Sequence, residues 1–173
     1  MSLSVIDRLG AWDKTFSQRI RVAENPGLIR TLAALYAHSG DSWFWIIGLA
    51  VVWLLGNDAW KSRSIILGLG VIITAVLVLT LKFTIRRKRP HGEWGNIYRI
   101  TDPHSFPSGH AARAAMLAVL ASNFGVFWFS LTLAIWAPLV ALARVAMGLH
   151  YLSDIIAGML IGVLIGVVIL GFI

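Results

Sequence analysis

Side chains that could perform chemistry on a phosphate lie in three short stretches of this sequence. They are Lys82 and Arg89, then Ser108, Gly109 and His110, and finally Arg144, His150 and Asp154. Arginine forks and lysine ammonium groups bind phosphate oxygens. Free N–H groups at the start of a helix also favour an anion. The three cations and the Ser-Gly pair therefore predict a cradle for a dianion.

The two histidines indicate what could happen to an anion held there. His150 and Asp154 are four residues apart, so a helix places them on one face. A carboxylate on one imidazole nitrogen fixes the tautomer and leaves the other nitrogen free to attack. His110 is a separate imidazole that could protonate a leaving oxygen. An anion cradle, an oriented nucleophile and an acid together favour phosphoryl transfer.

Metal binding is the competing use of these histidines. Few carboxylates accompany them, namely Glu93, Asp102 and Asp154, and the surrounding cations repel a divalent ion. We therefore expect no metal and no cofactor. A non-hydrolytic transporter or binder of a phosphorylated lipid remains an alternative, because it would use the same cations. Such a protein has no need of two imidazoles, and transporters commonly show internal repeats, which we do not find here.

Two further residues are candidates for the same site. Arg113 follows His110 by three residues and would be either a phosphate contact or a snorkelling surface residue. His104 lies in the loop before Ser108 and could contact a head group. Arg86, Arg87 and Lys88 form a basic cluster with Arg89, and we expect only Arg89 inside the site.

The elements that position these residues must be membrane helices. Of the 173 residues, 58% are hydrophobic and 13% are charged, against roughly 25% charged in soluble domains. Mean hydropathy is +0.78. The absence of cysteine excludes disulfides, cysteine zinc sites and a thiol nucleophile. The composition thus excludes a soluble enzyme and a disordered chain. The few charged residues nevertheless give a net charge of +7.

Long stretches without charge predict an all-α, polytopic transmembrane helical bundle forming a single domain over residues 1–173. About five spans are expected, at 41–57, 63–85, 108–122, 125–146 and 151–173. A short helix is expected at 27–38, after Pro26. Gly158, Gly162 and Gly166 recur every four residues and predict close helix packing.

The first 24 residues are amphipathic. Apolar residues recur at helical spacing, and polar residues fill the other side. This helix would lie either in the membrane interface or against the end of the bundle. Five spans place the N-terminus, the 86–107 loop and the 144–150 turn on one side of the membrane. The excess of Lys and Arg on that side indicates a cytoplasmic site by the positive-inside rule.

The three stretches resemble the motifs of the type-2 phosphatidic acid phosphatase superfamily, which includes vanadium haloperoxidases and glucose-6-phosphatase. The first motif, K-x6-RP, matches Lys82 through Arg89-Pro90. The second, PSGH, is complete from Pro107 to His110. The third, SR-x5-H-x3-D, matches at Arg144, His150 and Asp154, with Ala143 where the family has serine.

The resemblance implies the role of each matched residue. His150 would attack phosphorus, Asp154 would orient it, and His110 would protonate the leaving group and then activate water. The phosphate would be held by Lys82, Arg89, Ser108, Gly109 and Arg144. No metal would be needed.

Short, apolar members resemble multi-pass lipid phosphatases of the bacterial inner membrane. Their substrates include phosphatidylglycerol phosphate, phosphatidic acid, undecaprenyl pyrophosphate and lipid A 1-phosphate. The expected partners are such a lipid and the membrane, with no nucleic acid and no obligate protein partner. The resemblance favours a site facing the periplasm or the outside, in conflict with the charge rule, and we follow the resemblance.

Overall fold

The computed structural model of the chain describes residues 5–92 and 94–173, and their regular secondary structure is helical. Eight helices are described: α1 (Val5–Arg19), α2 (Leu28–Ser39), α3 (Ser42–Leu55), α4 (Asp58–Ile85), α5 (Asn96–Thr101), α6 (Gly109–Ser122), α7 (Phe127–Ala146) and α8 (Leu152–Leu170). The predicted all-α fold is confirmed. The short helix expected after Pro26 is α2. Residues 1–4 of the predicted N-terminal helix lie outside the described residues.

Helix α6 lies at the centre of the bundle. Most of its side chains are buried, and it packs against α4, α7 and α8. Small residues such as Ala111, Ala112 and Ala115 make this close packing possible. A Cβ atom at Gly162 would come within 2.0 Å of the carbonyl oxygen of Ala112, and one at Gly158 within 2.5 Å of the carbonyl oxygen of Ser108. The glycine stripe is therefore a packing surface, as predicted.

Five of the helices, α3, α4, α6, α7 and α8, fall at the five stretches where membrane spans are predicted. Among the described residues, α4, α7 and α8 are long and apolar enough to cross a membrane. Helices α2 and α3 form a fourth candidate, a pair bent by 60° at a short break. Helix α6 has 14 residues, about 21 Å of helix, which is shorter than a ~30 Å hydrocarbon core. The number of spans stays a prediction.

The outer surface of the bundle is apolar. Large side chains such as Leu69 and Val76 on α4 and Leu160 and Leu164 on α8 are about half exposed or more. Exposed apolar surface of this extent is unfavourable in water and favourable in lipid. The arrangement therefore fits integration into a membrane.

Helix α1 packs on the bundle with its polar face. Asp13 and Ser17 accept hydrogen bonds from the backbone N–H groups of Ser153 and Leu152, at 3.0 and 2.9 Å. These are donors in the first turn of α8, which no carbonyl of their own helix can satisfy. The apolar face points outward, with Trp12 61% exposed. Helix α1 thus packs against the bundle end, one of the two predicted arrangements, while its position in the membrane interface stays a prediction.

Candidate active site

The three motif stretches meet at one end of the bundle. Lys82 lies in the last turn of α4, Ser108 caps α6, and Arg144 lies in the last turn of α7. The segment after α4 pairs with the loop before α6 through an isolated bridge between Lys88 and His104. In the turn between α7 and α8, Gly148 has a φ of +67°. Glycine suits this left-handed conformation, and the turn brings His150 beneath the loop.

Lys82 and Arg89 converge on a single carboxylate, that of Asp102. Lys82 forms an ion pair with Oδ2 of Asp102, and Nη2 of Arg89 lies 2.9 Å from the same oxygen. Both cations are buried, with side chains 3% and 4% exposed. Buried cations need a compensating anion. Asp102 supplies it in the structure, and a phosphate would supply it equally well.

The His150 imidazole contacts the same guanidinium. Nη1 of Arg89 lies 3.2 Å from Nε2 of His150 and 2.9 Å from the carbonyl oxygen of Leu149. Because arginine has only donors, Nε2 must be the accepting nitrogen and Nδ1 must carry the ring proton. The lone pair of Nε2 therefore points into the cationic cluster, as a nucleophile for a bound phosphate requires.

Burial holds the pKa of His150 well below its ordinary value of 6.5, and the charges of Arg89, Lys82 and Arg144 lower the pKa further. The side chain is 1% exposed. His150 is thus neutral at physiological pH, and its lone pair stays available for attack.

Asp154 lies beside His150, but the structure does not show the predicted hydrogen bond between them. Oδ2 of Asp154 is 3.5 Å from Nδ1 of His150, and Nδ1 has no hydrogen-bond partner in the described structure. The carboxylate instead accepts hydrogen bonds from the backbone N–H of Tyr151, at 2.8 Å, and from Arg87, at 2.6 Å. Asp154 is therefore fixed next to the imidazole, and a small ring movement would complete the bond.

Arg87 has contacts in the structure that its basic neighbours lack and that the sequence did not predict. Its guanidinium joins Asp154 to Asp13 of α1, at 2.6 and 2.7 Å, and lies 4.2 Å over the ring of Tyr151. It supports the carboxylate behind His150. Arg87 thus links helix α1 to the site.

His110 has a carboxylate of its own. Nε2 of His110 lies 2.6 Å from Oδ1 of Asp41, which stands in the break between α2 and α3. The hydroxyl of Tyr98 also donates to Asp41, at 2.9 Å. A carboxylate on Nε2 leaves Nδ1 of His110 available for proton transfer.

Arg144 is buried with one donor unpaired. Its Nη1 donates to the carbonyl oxygen of Ala37 at 3.2 Å, and its guanidinium carbon lies 4.3 Å from the centre of the Tyr98 ring. Its Nε has no hydrogen-bond partner in the described part of the chain. A buried unpaired donor costs about 1–3 kcal/mol. A bound phosphate oxygen would satisfy it.

Ser108 and Gly109 form the start of α6, as predicted. The Ser108 side chain accepts from the backbone N–H of Ala111 at 3.4 Å, and its own N–H donates to the carbonyl oxygen of Asp154 at 3.0 Å. The first N–H groups of α6 and its dipole therefore face the cationic end of the bundle, where an anion is favoured.

The two additional candidates have other contacts. Arg113 is 4% exposed; it donates to the carbonyl oxygen of Gly40 at 3.0 Å and to the hydroxyl of Ser42. It therefore braces the α2–α3 break that carries Asp41. His104 packs its ring edge-on against Phe83, with 5.5 Å between centroids. Neither contact is with the cradle, so their direct role in phosphate binding stays untested.

Four residues that contact the motif stretches are not predicted from the sequence as their partners: Asp13, Asp41, Asp102 and Tyr98. The amphipathic pattern indicates only a polar helix face around Asp13, and Asp102 is a candidate only as a metal ligand. None stands at a motif spacing. A weak signal existed for Asp41, since a carboxylate between two apolar helices needs a partner. Across residues 5–92 and 94–173, no three His, Asp or Glu side chains are grouped as metal ligands.

A family model described as "PAP2 superfamily" matches residues 63–173 of this sequence. The chain belongs to the PAP2 superfamily. The matched region includes all three motifs, most of α4 and all of α5 to α8. The resemblance inferred from the motifs is thereby confirmed.

Similar PAP2 phosphatases act on lipid phosphates. The chain is 28% identical over 152 residues to a decaprenylphosphoryl-5-phosphoribose phosphatase of Mycobacterium tuberculosis, covering 86% of this chain and 82% of that protein. It is 30% identical over 124 residues to the undecaprenyl-diphosphatase BcrC of Bacillus subtilis, covering 68% and 62%. Membership of a PAP2 family of membrane lipid phosphatases follows.

The PAP2 fold is also seen in a solved structure. The crystal structure of a transmembrane PAP2-type phosphatidylglycerolphosphate phosphatase from Bacillus subtilis matches with a TM-score of 0.78. The match covers 95% of this chain and 86% of that one at 22% identity. It shows that the arrangement of helices is shared.

The one departure from the PAP2 motifs lies beside the cradle. Ala143 is 5% exposed and packs in an apolar cluster with Ala23, Ala37 and Met147. The hydroxyl of the family serine would be placed among methyl groups here. The apolar side chain of alanine therefore fits this environment.

Proposed function

We propose that this protein removes a phosphate from a polyprenyl or other lipid phosphate or diphosphate at the membrane surface, without a metal, through a phosphohistidine on His150. The observation that supports this most strongly is the contact between Nε2 of His150 and Arg89. It directs an unprotonated imidazole nitrogen into a cluster of buried cations. A site that only binds phosphate needs the cations and has no use for this nitrogen.

In the first step, Nε2 of His150 attacks phosphorus and the bond from phosphorus to the lipid oxygen breaks. Lys82, Arg89, Arg144 and the start of α6 stabilise the charge on the equatorial oxygens. Nδ1 of protonated His110 gives its proton to the leaving oxygen. The products are phosphohistidine and the dephosphorylated lipid.

In the second step, Nδ1 of His110 takes a proton from water as the water oxygen attacks phosphorus. The phosphorus–nitrogen bond breaks, and His150 regains its lone pair. Inorganic phosphate is released, and His110 is protonated again. Asp41 stays hydrogen-bonded to Nε2 of His110 through both steps. Asp154 stabilises the charge that His150 carries while it is phosphorylated.

The position of the cradle and the relatives support the proposed substrate class. The cradle lies at the end of an apolar bundle, so lipid tails can stay in the bilayer while the phosphate reaches the cations. The printed names of two relatives specify polyprenyl carriers. We therefore place polyprenyl phosphates and diphosphates before lipid A 1-phosphate, phosphatidylglycerol phosphate and phosphatidic acid.

The test is phosphate release from purified protein in detergent containing EDTA, with these lipids as a panel. We expect turnover of at least one polyprenyl substrate, and trapping of acid-labile labelled phosphate on the protein. His150→Ala should abolish both. Lys61→Ala, on the opposite side of the bundle, is the control and should behave as wild type. Full activity of His150→Ala would exclude the phosphohistidine route, and lipid binding without turnover would favour a transporter or binder.

A further inference from the structure

A second basic pocket lies next to the cradle, between α1 and the loops that carry Arg89 and His150. Its volume is about 330 Å³, an order of magnitude more than the roughly 30 Å³ share of one water molecule. Four cationic residues and two histidines contribute to its lining: Lys14, Arg21, Lys88, Arg89, His91 and His150. No aspartate or glutamate of the described chain lines it.

Much of this positive charge is not paired with a carboxylate of residues 5–92 or 94–173. Lys14 and Lys88 are exposed, and neither forms an ion pair with a carboxylate in the part of the chain that the structure describes. Arg21, in contrast, pairs with Glu24. The two lysines come from α1 and from the loop after α4, and both line the pocket. Cations that share a pocket without a carboxylate repel, so an anion bound there would be stabilised.

The pocket and the cradle share two residues. Arg89 and His150 line the pocket, whereas Lys82, Ser108 and His110 do not. In phosphoryl transfer the attacking and leaving atoms are roughly in line with phosphorus. A leaving group protonated by His110 therefore lies on the far side of the phosphate from His150. The pocket lies on the side of His150.

We propose that this pocket is a second oxyanion site, which binds a phosphate-class anion beside His150 through Lys14 and Lys88. The proposal rests on the proposed function, because its anion is a reactant or product of that reaction. Two sources share this chemistry: the inorganic phosphate released by hydrolysis, and a second phosphate on the lipid head group. The in-line geometry favours released phosphate, which would pass through this pocket on its way to water.

The test compares two double variants of the full-length protein in detergent. Lys14→Ala with Lys88→Ala removes both unpaired cations of the pocket. Arg19→Ala with Arg86→Ala is the matched control, since it also removes one charge from α1 and one from the loop, but outside the pocket. The assay follows the dephosphorylated lipid by mass spectrometry, so that inorganic phosphate can be added as an inhibitor.

If the pocket holds released phosphate, the inhibition constant of inorganic phosphate rises about tenfold in the pocket variant, or about 1.4 kcal/mol. If it holds a second phosphate of the head group, KM rises about tenfold for a polyprenyl diphosphate and much less for the monophosphate. Either result supports an oxyanion site and identifies its source. In both cases the control variant keeps the wild-type values.

The proposal is overturned if the pocket variant and the control variant have equal inhibition constants and equal ratios of KM between diphosphate and monophosphate. Failure of the proposed function looks different, because the wild-type protein itself would then release no phosphate from any lipid. In that case isothermal titration of wild type with inorganic phosphate still decides the matter. Binding that is weakened in the pocket variant supports the site, and binding that is unchanged rejects it.

Discussion

The carboxylate of Asp41 lies 2.6 Å from Nε2 of His110, although 69 residues separate them in the sequence. Asp41 stands at the break between α2 and α3, and Arg113 fixes that break through the carbonyl oxygen of Gly40. The second histidine of the site is therefore oriented by a part of the chain outside the PAP2 motifs.

Replacing Asp41 with Asn should reduce kcat about 10- to 100-fold and change KM little. The substitution removes the charge that supports protonated His110, and general acid–base catalysis contributes about 10²–10⁴-fold. Steady-state kinetics on the preferred lipid measure the effect. Tyr98→Phe serves as the control, because it removes one hydrogen bond to Asp41 and keeps the carboxylate. Equal kcat in wild type and Asp41→Asn would show that His110 acts without this partner.

The pKa of His150 predicts how stability depends on pH. Burial and neighbouring cations lower this pKa well below 6.5 in the folded protein, whereas the unfolded chain has the ordinary value. Below pH 6.5 the unfolded state therefore takes up a proton that the folded state does not. The free energy of unfolding should fall by about 1.4 kcal/mol for each pH unit, until the folded pKa is reached.

His150→Gln isolates this contribution, because it removes the titrating group and keeps a polar side chain. Thermal unfolding of both proteins in detergent, at about pH 7.5 and about pH 5, gives the comparison. Wild type should lose more stability on acidification than the variant does. Parallel pH dependences of the two proteins would contradict the prediction.

The packing of α6 against α8 predicts opposite outcomes for two similar substitutions. Gly162→Ala places a Cβ atom 2.0 Å from the carbonyl oxygen of Ala112, whereas a Cβ atom at Gly68, on α4, meets no atom within 4 Å beyond its chain neighbours and the backbone of its own helix. Overpacking costs about 1–3 kcal/mol, and exposed Gly→Ala in a helix is favourable by up to about 1 kcal/mol. The melting temperature should therefore fall for Gly162→Ala and hold or rise for Gly68→Ala.

The prediction that the site faces the periplasm or the outside can be tested with single cysteines, since the chain has none. Asn96 and Ser62 are exposed at opposite ends of the bundle. An impermeant thiol reagent should label Asn96→Cys in intact spheroplasts and label Ser62→Cys only after lysis. The reverse pattern would place the site in the cytoplasm, as the distribution of Lys and Arg indicates.

The three motif stretches could be located from the sequence, and they meet in the structure, because each motif combines a reactive group with the helix end that positions it; the roles of their residues stay predictions. Ser108 directly precedes α6, and Asp154 lies in the first turn of α8, four residues after His150. Hydrophobic periodicity and motif spacing are both local properties. They locate helices and the groups at their ends.

The partners of these residues could not be predicted, because they come from distant segments. Asp13 contacts Ser153 across 140 residues, and Asp41 contacts His110 across 69. No spacing in the sequence relates such pairs, since only tertiary packing of α1 and of the α2–α3 break brings them together. For the same reason the sequence did not show that Arg113 is buried and braces the α2–α3 break; the prediction of a surface residue is wrong, and that of a phosphate contact stays a prediction.

The ion pairs of Asp102 with Lys82 and Arg89 have a consequence for which anions the protein can accept. A substrate does not meet bare cations; it must displace a tethered carboxylate that already neutralises them. Binding is then an exchange of one anion for another. Chloride, with a single charge and no fork geometry, competes poorly with a carboxylate whose Oδ2 already contacts both cations. A phosphate dianion, with more charge and three oxygens, can replace it. We therefore expect chloride in the surrounding solution to compete weakly with Asp102 for the cations of the cradle.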